Sequence, residues 1–219
     1  MDIIVSAFKD GGVFIIPIMI CAVFALAIAA ERLYYIMFRA NINGTAFFAQ
    51  IQKLIMANNI DRAIKLCNAE PNAALPRVLK SGLTRANRGD VEIENAINES
   101  QLEVNPNLTK RTPYLSMLAN VATLTGLLGT IQGLIQAFDA VDSGNSATKG
   151  DALAAGISVA MYTTMMGLLV AIPTLVLASI IQNKTTKILD EVDLYSVKTI
   201  NLLGARRRGT LADEGAAKA

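Results

Sequence analysis

The chain has 219 residues, of which 53% are hydrophobic and 17% are charged, and its net charge is +2. A soluble domain of this size is roughly 45–50% apolar and about 25% charged, so this composition favours a membrane protein. The small net charge and the absence of a basic stripe argue against binding to nucleic acid. The chain has no histidine and only two cysteines, far apart in sequence. It therefore predicts no metal site, no cofactor and no enzyme active site.

Three long uncharged runs account for the apolar excess. They contain 18, 27 and 32 residues and cover 13–30, 112–138 and 152–183. A helix needs about 20 apolar residues to cross the hydrocarbon core, so we predict transmembrane helices over 13–38, 112–138 and 152–183. The first run has an alternative interpretation as a cleaved signal peptide, because Ala25-Leu26-Ala27 resembles a peptidase site. The residues before it carry no net positive charge, which favours a retained span.

The distribution of lysine and arginine predicts the orientation in the membrane. One lies before the first span and one in 139–151, whereas ten lie in 39–111 and seven in 184–219. Positive charges near the ends of spans stay in the cytoplasm. We therefore predict that the N-terminus (1–12) and the loop over 139–151 lie on the outer side of the membrane. The cytoplasmic parts are then a helical segment (39–111) and a helix with a disordered tail (184–219).

The charged segments show apolar residues at helical spacing. The pattern predicts helices over 47–66, 75–86 and 91–104, with an interruption at 105–107. The third span is predicted to continue as one helix to Leu203. Two arrangements fit these helices: a bundle that projects from the bilayer, or a set of helices that lies on its surface.

The second and third spans each carry a face of small and hydroxyl residues. In span two the face comprises Ala119, Thr123, Gly126, Thr130, Gly133 and Ala137; in span three it comprises Gly156, Ala160, Thr163, Thr164, Gly167 and Ala171. One interpretation is a packing seam, because small residues let helices approach closely in lipid and threonine can bond to its own helix. The other is the lining of a ring of subunits around a central helix.

A proton path through the membrane needs a group that titrates at depth. None of the three uncharged runs contains aspartate or glutamate, and threonine does not titrate at physiological pH. If the lined cavity carries protons, the carboxylate must come from another chain.

Three sequence motifs are similar to those of a known family. Gly126-Leu-Leu-Gly-Thr130-Ile-Gln-Gly133 resembles the second-span motif of the MotA/TolQ/ExbB proton channel family. Gly156-Ile-Ser-Val-Ala-Met-Tyr-Thr-Thr164-Met-Met-Gly167-Leu-Leu-Val-Ala-Ile-Pro173 resembles its third-span motif, and Glu31-Arg32-Leu33 resembles its conserved triplet after span one. One departure is Val159, where many relatives have glutamate.

The resemblance implies an all-α protein of the bacterial inner membrane that forms a pore as a homopentamer. The outer side, with residues 1–12 and 139–151, is then the periplasm. The pore would surround an ExbD- or TolR-like single-span partner whose helix carries an aspartate. A TonB- or TolA-like protein, or a motility effector, would receive the work. In this reading Thr130 and Thr164 match the threonines on the proton route, and Thr123 and Thr163 are further candidates. Helix packing is assigned to Gly126, Gly129, Gly133, Gly156, Gly167 and Pro173, and assembly to Glu31 and Arg32. The alternative function is a membrane scaffold without an ion path of its own.

Overall fold

The structure is a computed structural model that describes residues 12–40, 42–143 and 149–209, without the side chains of residues 39 and 143. Nearly all of the N-terminal segment predicted to be periplasmic lies outside the described residues. The same is true of residues 210–219 of the predicted disordered tail.

The described residues form helices and no strands. Seven are α-helices: α1 (Ile15–Tyr34), α2 (Gly44–Met56), α3 (Ile60–Ala69), α4 (Ala74–Thr84), α5 (Asp90–Thr109), α6 (Thr112–Ser143) and α7 (Lys149–Arg207). A π-helical turn, Tyr35–Ala40, follows α1. The all-α fold class predicted from the sequence is confirmed.

Three of the described helical segments are long and apolar enough to cross a membrane, namely Ile15–Phe38, Asp90–Asp142 and Lys149–Arg207. Two of these segments are longer than a bilayer requires, and they contain the uncharged runs of α6 and α7. The chain is therefore a multi-pass membrane protein.

The chain divides into two compact units. The first, here called the apolar unit, comprises the described residues of 1–32 and 111–181 and contains the three uncharged runs. The second, here called the charged unit, comprises the described residues of 33–110 and 182–219. Helix α7 contributes to both.

The charged unit has a core of large aliphatic side chains. Leu79 and Leu83 of α4 and Ile93 and Ile97 of α5 are almost completely buried. Cys67 of α3 is also buried in this unit, and its burial raises the pKa of the thiol to about 12, although Lys80 opposes the shift. Amphipathic helices with their apolar sides turned inward are the arrangement that water imposes.

The helix predicted over 47–66 is wrong, because the structure has two helices there. Helix α2 ends at Met56, and Asn58 adopts a left-handed backbone with φ of 60°. The Asn59 N–H then donates to the Leu54 carbonyl at 2.9 Å, which is a left-handed helix terminus. Asparagine tolerates this conformation better than most residues do. The apolar periodicity of the sequence continues past Asn58, so the pattern gave no sign that the helix ends there.

The predicted interruption at 105–107 is also wrong. Helix α5 continues through Pro106 to Thr109. Proline removes only the bond to the carbonyl of Leu102, and Leu102 is exposed, so water can satisfy that carbonyl. The break comes later, at Arg111, where φ is 65°.

The segment 139–151, predicted to be a loop, is helical over its described residues. Helix α6 extends to Ser143 and α7 begins at Lys149. Asp139, Asp142 and Asp151 therefore lie on helices; charged residues ended the apolar run without ending the helix.

Candidate functional site: the seam between the second and third spans

Helices α6 and α7 run antiparallel and touch through their glycines. A Cβ placed on Gly167 would lie 2.8 Å from the Ala122 carbonyl oxygen and 3.1 Å from the Gly126 Cα. At the other end of the contact, a Cβ on Gly156 would lie 2.5 Å from the Ala137 Cβ. These positions can accept no side chain unless the backbones move apart, so the contact requires glycine.

The same seam continues through Gly129 and Gly133. A Cβ on Gly133 would lie 3.0 Å from both the Ala160 Cβ and the Gly156 carbonyl oxygen. A Cβ on Gly129 would lie 2.7 Å from the Thr163 Cβ. All five glycines singled out in the sequence thus lie where the two spans meet within one chain.

Thr163 lies inside this seam. It is 1% exposed, and its hydroxyl donates to the Ala160 carbonyl at 2.8 Å on its own helix. Its methyl and hydroxyl groups fill the space beside Gly129. This placement makes it a packing residue of the helix pair, with its hydroxyl already satisfied.

Thr123, Thr130 and Thr164 lie at the edge of the seam. The Thr164 hydroxyl donates across the pair to the Gly126 carbonyl at 3.3 Å. Thr123 and Thr130 donate to carbonyls of their own helix, Ala119 at 3.1 Å and Leu127 at 2.6 Å. Thr123 is exposed and the other two are partly exposed within the single chain.

These three threonines are on the same side of the helix pair. Successive helical residues are about 100° apart, so Thr123 and Thr130 lie about 40–60° from the Gly126 contact line. Thr164 lies about 40° from Ala160 in the same rotational sense. Because both helices are right-handed and run in opposite directions, the same sense leads to the same side. We call this side the hydroxyl edge.

Helix α1 covers the opposite side. Ile18 packs with Ala122 of α6 and Val170 of α7. Ala122 lies about 40° from Gly126 around α6, and Val170 lies about 80° from Ala160 around α7. Both angles are in the rotational sense opposite to that of the threonines. The hydroxyl edge is therefore left uncovered by the chain's own first span. Val159 lies about 100° from Ala160 on the α1 side, so its departure from the family pattern leaves the hydroxyl edge unchanged.

Pro173 lies on the α1 side of α7. It lines an apolar cavity between the two helices together with Met19, Leu26 and Val170. One residue later, the buried Thr174 donates its hydroxyl to the Val170 carbonyl at 2.7 Å. The structure thus places Pro173 beside α1 and away from the threonine edge.

The two charged residues of the first-span motif differ in their surroundings. Glu31 accepts hydrogen bonds at 2.5 Å from Arg111, the residue that precedes α6, and both side chains are about half exposed. Arg32 is buried at 4% exposure. Sequence reasoning missed Arg111, because a contact between residues 80 positions apart leaves no local signal.

Among the residues described, no group of three or more histidine, cysteine, aspartate or glutamate side chains could hold a metal ion. Within the uncharged runs of the three spans, the polar side chains are hydroxyls, amides and one thiol. The site can therefore donate and accept hydrogen bonds but cannot exchange a proton by itself at neutral pH.

Comparison with known proteins bears directly on this helix pair. The model of the MotA/TolQ/ExbB proton channel family matches residues 70–193, which is more than half of the chain and includes α6 and the apolar part of α7. This chain belongs to that family.

Individual relatives show the same family likeness. An ExbB-like biopolymer transport protein of Synechocystis is 30% identical over 176 residues, covering 79% of this chain and 82% of the relative. The biopolymer transport protein exbB1 of Vibrio cholerae is 29% identical over 162 residues, covering 72% and 69%. The Tol-Pal system protein TolQ of Haemophilus influenzae is 34% identical over 86 residues, covering 39% and 36%. The chain is thus a membrane energy-transducing subunit of the ExbB/TolQ type.

Proposed function

We propose that the chain is the pore-lining subunit of a proton-driven motor in the bacterial inner membrane. Several copies, five by the family pattern, would surround the helix of an ExbD- or TolR-like partner. An aspartate on that helix would carry the proton. In this arrangement the N-terminus is periplasmic and the C-terminus cytoplasmic, as the lysine and arginine distribution predicts.

The hydroxyl edge carries this proposal. Thr123, Thr130 and Thr164 lie on one side of a rigid helix pair, and α1 lies on the other. A rigid seam holds the hydroxyls at fixed positions, because glycine at five points leaves the two backbones in direct contact. Hydroxyls can hydrogen-bond to both the charged and the neutral form of a guest carboxyl group, so they suit a site where protonation alternates.

The division of roles follows from these positions. Thr123, Thr130 and Thr164 would face the partner, whereas Thr163 and the glycines would hold the pair together. Pro173 would shape the α1 side, and Glu31 would join the end of α1 to the start of α6 through Arg111. The proposed load is a TonB- or TolA-like protein or a motility effector in the envelope.

A scaffold without an ion path is the second candidate. It is favoured by the hydrogen bonds of Thr123 and Thr130, which are satisfied within α6. In a scaffold the hydroxyls would matter only for local helix geometry, and removing them would change stability without a specific loss of proton flow.

The test uses the full complex, the chain co-purified with an ExbD- or TolR-like single-span partner, in liposomes with an internal pH-sensitive dye. Thr130→Val and Thr164→Val should each reduce proton flux driven by a membrane potential by at least tenfold. The matched control is Thr125→Val. Thr125 is on the same helix as Thr130, and its hydroxyl also donates to a carbonyl of that helix, that of Val121, but it lies on the other side of α6.

The proton flux of the three variants decides between the motor and the scaffold. Equal flux in Thr164→Val, Thr130→Val and Thr125→Val, with intact complexes by size-exclusion chromatography, would favour the scaffold. A selective loss in the two hydroxyl-edge variants would support the motor.

A further inference from the structure

The end of α7 carries three consecutive arginines, which lie in the charged unit. The Arg206 Nε donates to the Asn58 side-chain oxygen at 2.7 Å, in the turn between α2 and α3. The Arg207 guanidinium lies 2.8 Å from the carboxylate of Asp90, the first residue of α5. Arg208 lies 3.5 Å from the same carboxylate. One carboxylate is thus paired with two guanidinium groups and Arg206 with an uncharged amide, so this cluster keeps a net positive charge.

A cavity of about 460 Å³ lies within the charged unit beside these arginines. Arg206 and Arg207 line it, together with the amides of Asn58 and Asn87. The buried Ile55 adds an apolar part to the wall. The cavity therefore combines cationic, hydrogen-bonding and apolar surfaces. Its volume falls within the range of small-molecule sites, about 300–1,000 Å³.

The cavity wall has hydrogen-bond donors to offer. Only the Nε of Arg206 bonds to another residue that the structure describes. The four remaining N–H groups of this guanidinium are on its two Nη nitrogens. Within the described parts of the chain, the Asn87 amide makes no hydrogen bond either. A guanidinium presents a planar pair of N–H groups that matches two oxygens of one phosphate.

The backbone holds the partners of both arginines in place. Asn58 has the left-handed conformation that ends α2, with φ of 60°, so its position is set by a helix terminus. A Cβ on Gly204 would lie 3.3 Å from the Asp90 Oδ1, tighter than an ordinary van der Waals contact. Glycine there lets Asp90 approach α7 and meet Arg207. Guanidinium groups that are held in advance lose little side-chain entropy when an anion binds.

We propose that this cavity binds the phosphate group of a small ligand, with Arg206 and Arg207 as its cationic contacts and Asn87 as a further donor. A phosphate carries the negative charge that the cluster lacks, and the rest of the ligand would lie against Ile55. The bound phosphate would join the turn after α2, the turn after α4 and the end of α7. The inference concerns the charged unit alone and does not depend on the proposed function.

Binding of radiolabelled pyrophosphate to the full chain in phosphatidylcholine nanodiscs tests the site. We expect saturable binding at about 0.15 M salt, the physiological level. Arg206→Gln and Arg207→Gln should each weaken binding by roughly tenfold or more, because each removes hydrogen bonds between charged groups. The matched control is Arg208→Gln, which removes an equal charge from the same cluster but not from the cavity wall. It should weaken binding by roughly twofold at most, because salt screens the more distant charge.

A variant without any change in charge tests the geometry. Asn58→Gly suits the left-handed backbone, but it releases the Nε of Arg206. Binding of pyrophosphate should weaken by roughly threefold or more, because the guanidinium is no longer held in advance. Parental affinity in this variant would show that Arg206 acts through charge alone, and it would overturn the site described here.

Competition with other phosphates identifies the source of the group. Displacement of pyrophosphate by ATP, but not by dioctanoyl phosphatidylglycerol, would support a soluble phosphorylated ligand. The opposite result would support a lipid headgroup, and displacement by both would support recognition of the phosphate alone. No saturable binding of any of the three to the parent chain would overturn the inference. Equal losses in Arg206→Gln and Arg208→Gln, with parental circular dichroism spectra, would overturn it as well.

Discussion

The apolar unit and the charged unit are both helical, but opposite kinds of side chain hold their helices together. In the apolar unit, α6 and α7 touch through glycine, alanine and threonine, whereas Leu124 and Leu169 are 63% and 51% exposed. In the charged unit, Leu79 and Ile97 are fully buried. Lipid is as apolar as leucine, so it rewards close backbone contact, while water rewards the burial of large apolar groups. Leucine is therefore exposed on the helices of the apolar unit and buried in the core of the charged unit.

The largest effect should come from filling the seam of the apolar unit. Gly167→Ile would put side-chain atoms against the Ala122 carbonyl and the Gly126 Cα, which are backbone atoms and cannot turn aside. We expect the variant to yield no monodisperse protein after solubilisation in mild detergent. Size-exclusion chromatography and cross-linked oligomer yield measure this.

The control for the seam is Gly150→Ile, since a Cβ on Gly150 meets nothing within 4 Å. It should elute like the parent. A normal elution profile for Gly167→Ile would contradict the close packing described for α6 and α7.

The next largest effect concerns the alkylation rate of the Cys67 thiol in the charged unit. Burial raises the pKa of Cys67 to about 12, so at pH 7.5 its thiolate fraction is about a thousandfold lower than that of an ordinary exposed thiol. Alkylation by a water-soluble maleimide should be at least a hundredfold slower at Cys67 than in a chain carrying Gln50→Cys and Cys67→Ala. Mass spectrometry of the digested protein measures both rates.

The sign of the pH dependence follows from the same shift. The folded state holds the proton on Cys67 more tightly than the unfolded state does. The stability it contributes is therefore complete below the ordinary thiol pKa, near pH 9, and is lost as the pH rises towards 12. Rapid labelling of Cys67 at pH 7.5 in the folded protein would show that the core of this unit is open to solvent.

Truncation of a core leucine sharpens the comparison further. Leu79→Ala leaves a cavity in the charged unit and should cost about 2–5 kcal/mol of unfolding free energy. Leu169→Ala makes the same chemical change at an exposed position of the apolar unit and should cost less than about 1 kcal/mol. Thermal unfolding of the solubilised chain, followed by circular dichroism, measures both. Equal losses would mean that Leu169 is covered by more than lipid or detergent.

The smallest effect concerns the surface of the charged unit. Arg77 pairs with Glu103 at 3.1 Å, and their side chains are 51% and 61% exposed. Exposed pairs contribute about 0–1 kcal/mol and are screened by salt. Arg77→Gln should therefore shift the melting temperature by no more than about 3 °C. A larger shift, insensitive to 0.5 M salt (about the level at which exposed charges are screened), would contradict the surface assignment.

The sequence predicted the features of this fold that depend on continuous stretches of one chain. The uncharged runs predicted the three membrane-crossing helices, and the spacing of Gly126, Gly133, Gly156 and Gly167 marked the surfaces where spans two and three come close. It could not place the end of α2, because Asn58 fits both a helix and a left-handed terminus. It also could not place the break at Arg111, since the preceding proline was the stronger local signal.

Only the tertiary structure separated the threonines by position. By sequence Thr163 and Thr164 are adjacent and chemically equal, yet one is buried against Gly129 and the other bonds to Gly126 at the edge. Likewise, the level at which Gly133 meets Ala160 follows from the register of two antiparallel helices. A sequence fixes rotation and rise along one helix, but the side on which a second helix lies, and its offset, are set by which backbones can approach most closely.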